Sequence, residues 1–80
     1  MPPLPILKVR VLLKYLTAHG FVVLNERGKG AHRFLRDTDG RTTTVSGNAG
    51  ADVARPLLRK VLADTDLTID ELVGGKRNPR

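Results

Sequence analysis

The apolar residues of this chain change their spacing twice, and glycine stands at each change. Val9, Leu12, Leu13 and Leu16 recur at three- and four-residue intervals, the period of a helix with one apolar stripe. Arg10, Lys14 and Thr17 fall on another face. The pattern predicts a helix over 6–19, stopped by Gly20, because glycine readily takes the left-handed backbone that ends helices. Residues 21–26 are short and rich in strand formers, and predict a strand. Arg27, Gly28, Lys29 and Gly30 read as a turn, and 31–36 as a second strand. Asp39-Gly40, within 37–40, is a strong hairpin signal. The threonine-rich run 41–46 is then a third strand with one wet face. After a flexible loop at 47–50 the helical period returns in Leu57, Leu58, Val61 and Leu62, with Pro56 in the opening turn, where its missing N–H costs nothing. This helix can begin as early as Asp52. Thr68 and Glu71 match a capping box, with Leu67 and Leu72 spaced as a hydrophobic staple, so a short helix spans 69–73. Gly74 and Gly75 end it.

The expected architecture is therefore α+β: helix, three antiparallel strands, helix and a short extra C-terminal helix. The helices cover one face of the sheet, and the other stays open to solvent. Residues 1–5, with Pro2, Pro3 and Pro5, form a loose N-terminus, 6–74 the domain, and 75–80 a basic disordered tail. A domain drawn from 80 residues buries only about 60% of its unfolded surface. An active site on it would be shallow and its substrate large.

Lys and Arg number 14 against 8 acidic residues, a net charge of +6, and the sequence pI is near 10.6. That balance is a footprint of nucleic-acid binding, although an acidic protein partner would also answer it. Cysteine is absent, which excludes a disulfide framework and thiolate metal sites and fits a cytoplasmic protein. No apolar run approaches the roughly 20 residues a membrane helix needs. The start carries no basic segment followed by an apolar one, so no secretory signal is expected.

The candidate chemistry centres on Gly28-Lys29-Gly30-Ala31-His32-Arg33-Phe34. Histidine exchanges protons near neutral pH, where most side chains do not. Lys29, Arg33 and Arg27 are cations placed to hold a phosphate beside His32. Arg41 is a further candidate for RNA contact, as is the backbone at Gly30. The second histidine, His19, lies in the last turn of the first helix and reads as a cap residue. Asp37 and Asp39 are explained by turn chemistry. The glycines around Lys29 do not complete a phosphate-binding loop. No histidine–carboxylate cluster suggests a metal. Strand alternation sets one tension: His32 and Phe34 share a face, yet Phe34 should be core while a working His32 must reach solvent. A twist or bulge near Gly30, a place for His32 at the open sheet edge, or Leu35 as the core residue would each relieve it.

In order and spacing these segments resemble the HicA family of bacterial toxins. The match runs from "AHGF" (Ala18 to Phe21) through "GKGAHRF" (Gly28 to Phe34) and "DGR" (Asp39 to Arg41). It continues through "RPLLRKVL" (Arg55 to Leu62) to "LTIDEL" (Leu67 to Leu72). The resemblance implies a fold like a double-stranded-RNA-binding domain. It also implies a ribosome-independent, metal-independent endoribonuclease that cleaves messenger RNA and needs no small-molecule cofactor. Its implied partner is a HicB-type antitoxin that covers the active surface. The family's functional histidine maps onto His32, in Gly30-Ala31-His32, with Ala31 where many members have serine or glycine. Many members carry another histidine after the third strand, where this chain has Ser46-Gly47-Asn48-Ala49-Gly50. Two other readings remain: a non-catalytic RNA-binding module, and a degenerate toxin that only binds its partner protein.

Overall fold

A computed structural model describes residues 4–27 and 32–77. Six elements follow one another: α1 (Val9–Ala18), β1 (Val22–Arg27), β2 (His32–Arg36), β3 (Thr42–Val45), α2 (Arg55–Thr65) and α3 (Ile69–Gly74). The strands form one antiparallel sheet in the order β1-β2-β3, so β2 is central. The helices lie against one face, as the periodicity predicts, and the α+β architecture stands. Between sheet and helices sits a single core of Val9, Leu12, Leu16, Phe21, Leu35, Val45, Val53, Leu58, Val61, Leu67 and Leu72. At about 25 cal/mol per Å² of apolar surface, this cluster is the main force closing the helices onto the sheet.

α1 begins at Val9, three residues later than the pattern suggests, for a reason that lies far along the chain. Lys8 is extended and forms an isolated antiparallel bridge with Asp52. The Leu7 carbonyl accepts from Val53 N–H at 2.7 Å, which holds this segment out of the helix. No side chain caps α1. Instead the loop after β3 supplies carbonyl acceptors to the first turn: Ala51 O accepts from Val9 N–H at 2.9 Å and Ala49 O from Arg10 N–H at 3.0 Å. These are donors that a helix start leaves without partners. Leu4 also packs against the core, so the chain is anchored ahead of the domain start expected at Ile6.

The other boundaries follow local chemistry. Gly20, with φ of 90°, ends the first helical segment and turns Phe21 into the core. At the β2–β3 hairpin, Asp37 Oδ1 accepts from the backbone N–H of Asp39 (3.0 Å) and of Arg41 (2.8 Å), and Gly40 takes φ of 89°. α3 starts with the complete capping box: Glu71 N–H donates to Thr68 Oγ1 at 3.1 Å, and Thr68 N–H to Glu71 Oε1 at 2.9 Å. Leu67 and Leu72, the two ends of the staple, are both buried. α2 closes on Asp66 in the left-handed conformation. Its last carbonyls accept from Arg77, with Nη2 2.9 Å from Thr65 O and Nη1 2.8 Å from Asp66 O. Arg77 therefore ties down part of the segment expected as a loose tail, since a cation suits the negative end of a helix.

Candidate nucleic-acid interface on the open sheet face

Alternation along β2 decides what this surface is. Arg33 and Leu35 turn toward the helices, while His32, Phe34 and Arg36 turn to solvent. The third resolution of the tension over Phe34 is the one adopted: Leu35 is the core residue, fully buried, and Phe34 is 40% exposed beside His32. His32 is not at a sheet edge. It stands at the first position of the central strand, paired in register with Arg27. A bulge does occur, but in β1: the register shifts between Val23 and Asn25, leaving Leu24 as the extra residue. The shift keeps Val23 opposite core residue Leu35 and brings Asn25 opposite Phe34.

The open face therefore carries His32, Phe34 and Arg36 in a row. Exposed Val22 and Leu24 of β1 lie to one side, and exposed Thr42 and half-buried Thr44 of β3 to the other. Register pairs link them across the strands: Val22 with Arg36, Thr44 with Phe34 and Thr42 with Arg36. The His32 side chain is exposed and makes no hydrogen bond to another described residue. A reacting group can therefore approach its ring from solvent.

Arg33 departs from its expected role. Its side chain is buried, at 9% exposure, on the helix-covered face. Nη1 donates to Gly47 O at 3.1 Å. Arg33 thus holds the loop whose later carbonyls cap α1, and it lies on the opposite side of the sheet from His32. Arg41 is also engaged locally. Its guanidinium donates to Asp39 at 2.9 Å and lies 3.5 Å from Asp37. The hydrogen bond to Asp39, with the charges of Asp37 and Asp39, raises its pKa above the ordinary arginine value. Lys29 and Gly30 lie outside the described residues, and for Arg27 the backbone position alone is described.

His19 belongs to the scaffold. Its Nε2–H donates to Glu71 O at 2.8 Å and lies 3.3 Å from Leu72 O. The ring thus joins the C-cap of α1 to the end of α3. It satisfies terminal carbonyls of α3, a neighbouring helix, while the backbone N–H of His19 closes α1 on Tyr15 O and Leu16 O. Sequence reasoning found the cap at the end of α1 but not the second helix that the ring joins, because that contact spans most of the domain. Nor did it single out Arg36, whose signal was parity: it is four residues from His32 on one strand.

Among the described residues, no three metal-ligand side chains gather into a cluster. No described helix is long and apolar enough to cross a membrane.

A family model for the HicA toxin of bacterial toxin–antitoxin systems matches residues 9–67, well over half of the chain. The matched span runs from the start of α1 to the residue that precedes the capping box of α3. No curated protein sequence matches the chain significantly.

Proposed function

The chain belongs to the HicA toxin family of bacterial toxin–antitoxin systems, and from that premise we propose that it is an endoribonuclease acting on messenger RNA through His32. Its expected place of action is the cytoplasm, where a HicB-type antitoxin holds it in check. The observation that carries this reading is the position of His32: an exposed imidazole on the open face, at the end of the central strand.

The chemistry needs a proton shuttle and charge compensation. An RNA 2′-hydroxyl attacks its adjacent phosphorus, and the bond from phosphorus to the 5′-oxygen of the next nucleotide breaks. The ends are a cyclic 2′,3′-phosphate and a 5′-hydroxyl. His32 either takes the proton of the 2′-hydroxyl or gives one to the leaving oxygen, each worth about 10²–10⁴-fold. Water serves the other half. Positive charge near the pentacoordinate phosphorus stabilises the transition state. Arg27, the register partner of His32, and Lys29 with the Gly30 backbone are the groups proposed for that task. Arg33 is left out because it is buried on the opposite face.

The test is incubation of the purified chain and of His32→Ala with a long single-stranded RNA under chelating conditions. Urea denaturation of both checks that the fold survives. Cleavage by the parent and none by a folded His32→Ala supports the reading, and equal rates would sink it. A second reading is favoured by one observation: residues 46–50 carry no histidine, which leaves a second acid–base group unassigned. A toxin that only binds its antitoxin would leave RNA intact in both samples while still forming the complex.

A further inference from the structure

We infer that Phe34 is a base-stacking platform for single-stranded RNA, holding the nucleobase next to the phosphate that His32 attends. The inference rests on the ribonuclease reading and adds a substrate subsite to it.

Four observations carry it. First, a large aromatic side chain is 40% exposed in a small domain whose other phenylalanine, Phe21, is buried. Second, Phe34 shares strand and face with His32, two residues on, hence about 6.7 Å along the strand. A splayed nucleotide spans a similar length, so a phosphate at His32 sets its neighbouring base over the Phe34 ring. Third, Arg36 follows at the same interval on the same face, giving a row of proton donor or acceptor, aromatic ring and cation. Charge complementarity with a polyanion then extends past the base, in a chain of net charge +6. Fourth, the β1 bulge adds a residue beside this ring. Leu24, at 54% exposure, and Val22, at 59%, form an apolar wall along one side of the row. Thr44, the register partner of Phe34, brings a hydroxyl along the other. A flat base stacks on an aromatic ring whatever its identity, so the subsite contributes affinity and position before sequence choice.

The experiment compares parent, Phe34→Ala and Phe34→Trp. Steady-state cleavage of single-stranded RNA separates KM from kcat. Tryptophan fluorescence of Phe34→Trp is followed on adding a 2′-O-methyl RNA oligonucleotide, which binds without being cleaved, and on adding polyphosphate, which has charge but no bases. Phe34→Ala should raise KM by about 5- to 150-fold, the span expected for removing one base stack. Its urea midpoint should fall by about 1–2 M, since the residue is 40% exposed and the rest of it is covered, and the protein stays folded without denaturant, where the kinetics are read. Phe34→Trp should recover most of the KM lost in Phe34→Ala, and its emission should be quenched by the oligonucleotide and not by polyphosphate. Parental KM in Phe34→Ala, or equal quenching by both polyanions, overturns the inference. Loss of antitoxin neutralisation in Phe34→Ala with RNA kinetics unchanged also overturns it, and assigns the face to a protein. If the parent does not cleave RNA, the ribonuclease reading fails by itself. Base-dependent quenching in Phe34→Trp would still support the stacking platform, and its absence would remove that too.

Discussion

Replacing Arg33 by methionine separates a structural cation from a substrate-binding one. The side chain is buried, and its Nη1 donates to Gly47 O at 3.1 Å. Methionine keeps most of the apolar stem and removes the charge and the donor. A hydrogen bond from a charged group contributes about 1.5–3 kcal/mol, so Arg33→Met should lose about that much stability. A domain of this size has a total of about 4–12 kcal/mol to lose from. With a urea slope of about 1 kcal/mol per molar, the midpoint should fall by about 1.5–3 M. The loop that Arg33 holds also caps α1. Amide exchange at Val9 and Arg10 should therefore quicken before exchange in β2. RNA affinity measured against salt supplies the second readout. Removing one cation that neutralises a phosphate of a single strand lowers the slope by about 0.7. Arg33→Met should leave that slope unchanged, whereas Arg36→Met should lower it and cost less than about 0.5 kcal/mol of stability. An Arg33→Met variant as stable as the parent, with a slope reduced by about 0.7, would refute the structural assignment.

Three further substitutions test the scaffold. His19→Ala removes the donor that holds the end of α3, and should cost about 1–2 kcal/mol by urea denaturation. RNA cleavage by the remaining folded fraction should match the parent's. Thr68→Ala breaks half of the α3 capping box and should lower stability by about 1 kcal/mol, checked in the same way. Gly47→Ala places a side chain at φ of 113°, with its Cβ 3.4 Å from Val9 Cγ2. It should cost about 1–2 kcal/mol, with a lower melting temperature as the readout.

The parts of the fold legible in the sequence were those written in local chemistry. The stripe of α1, the Asp37 hairpin and the Thr68–Glu71 box each act within a few residues, so residue spacing alone locates them. The N-terminus of α1 was not legible, because its acceptors are carbonyls at Ala49 and Ala51, some forty residues away. Carbonyls carry no sequence signal. The role of Arg33 was obscured by a different confusion, between adjacency in sequence and adjacency in space. It stands next to the histidine in the chain and so looks like a phosphate clamp. Strand geometry forbids that whenever the histidine is exposed, since neighbours on a strand point to opposite faces.

The same parity rule says where the phosphate cation should come from. Groups able to share a substrate with His32 sit two or four residues along β2, or at its register partner on the next strand. Along β2 those positions hold Phe34 and Arg36, and the nearer one bears no charge. Across the sheet the partner is Arg27. Directly paired residues of antiparallel strands are neighbours across the sheet, which makes Arg27 the cation we propose for the phosphate that His32 attends. Arg27→Met should therefore lower kcat/KM for RNA by about 10- to 150-fold, the loss expected for one charge-assisted contact of about 1.5–3 kcal/mol. Because the contact is to a group that gains charge in the transition state, the loss should fall on kcat more than on KM. A loss confined to KM would make Arg27 a general backbone contact, and no loss at all would leave Lys29 as the cation that serves His32.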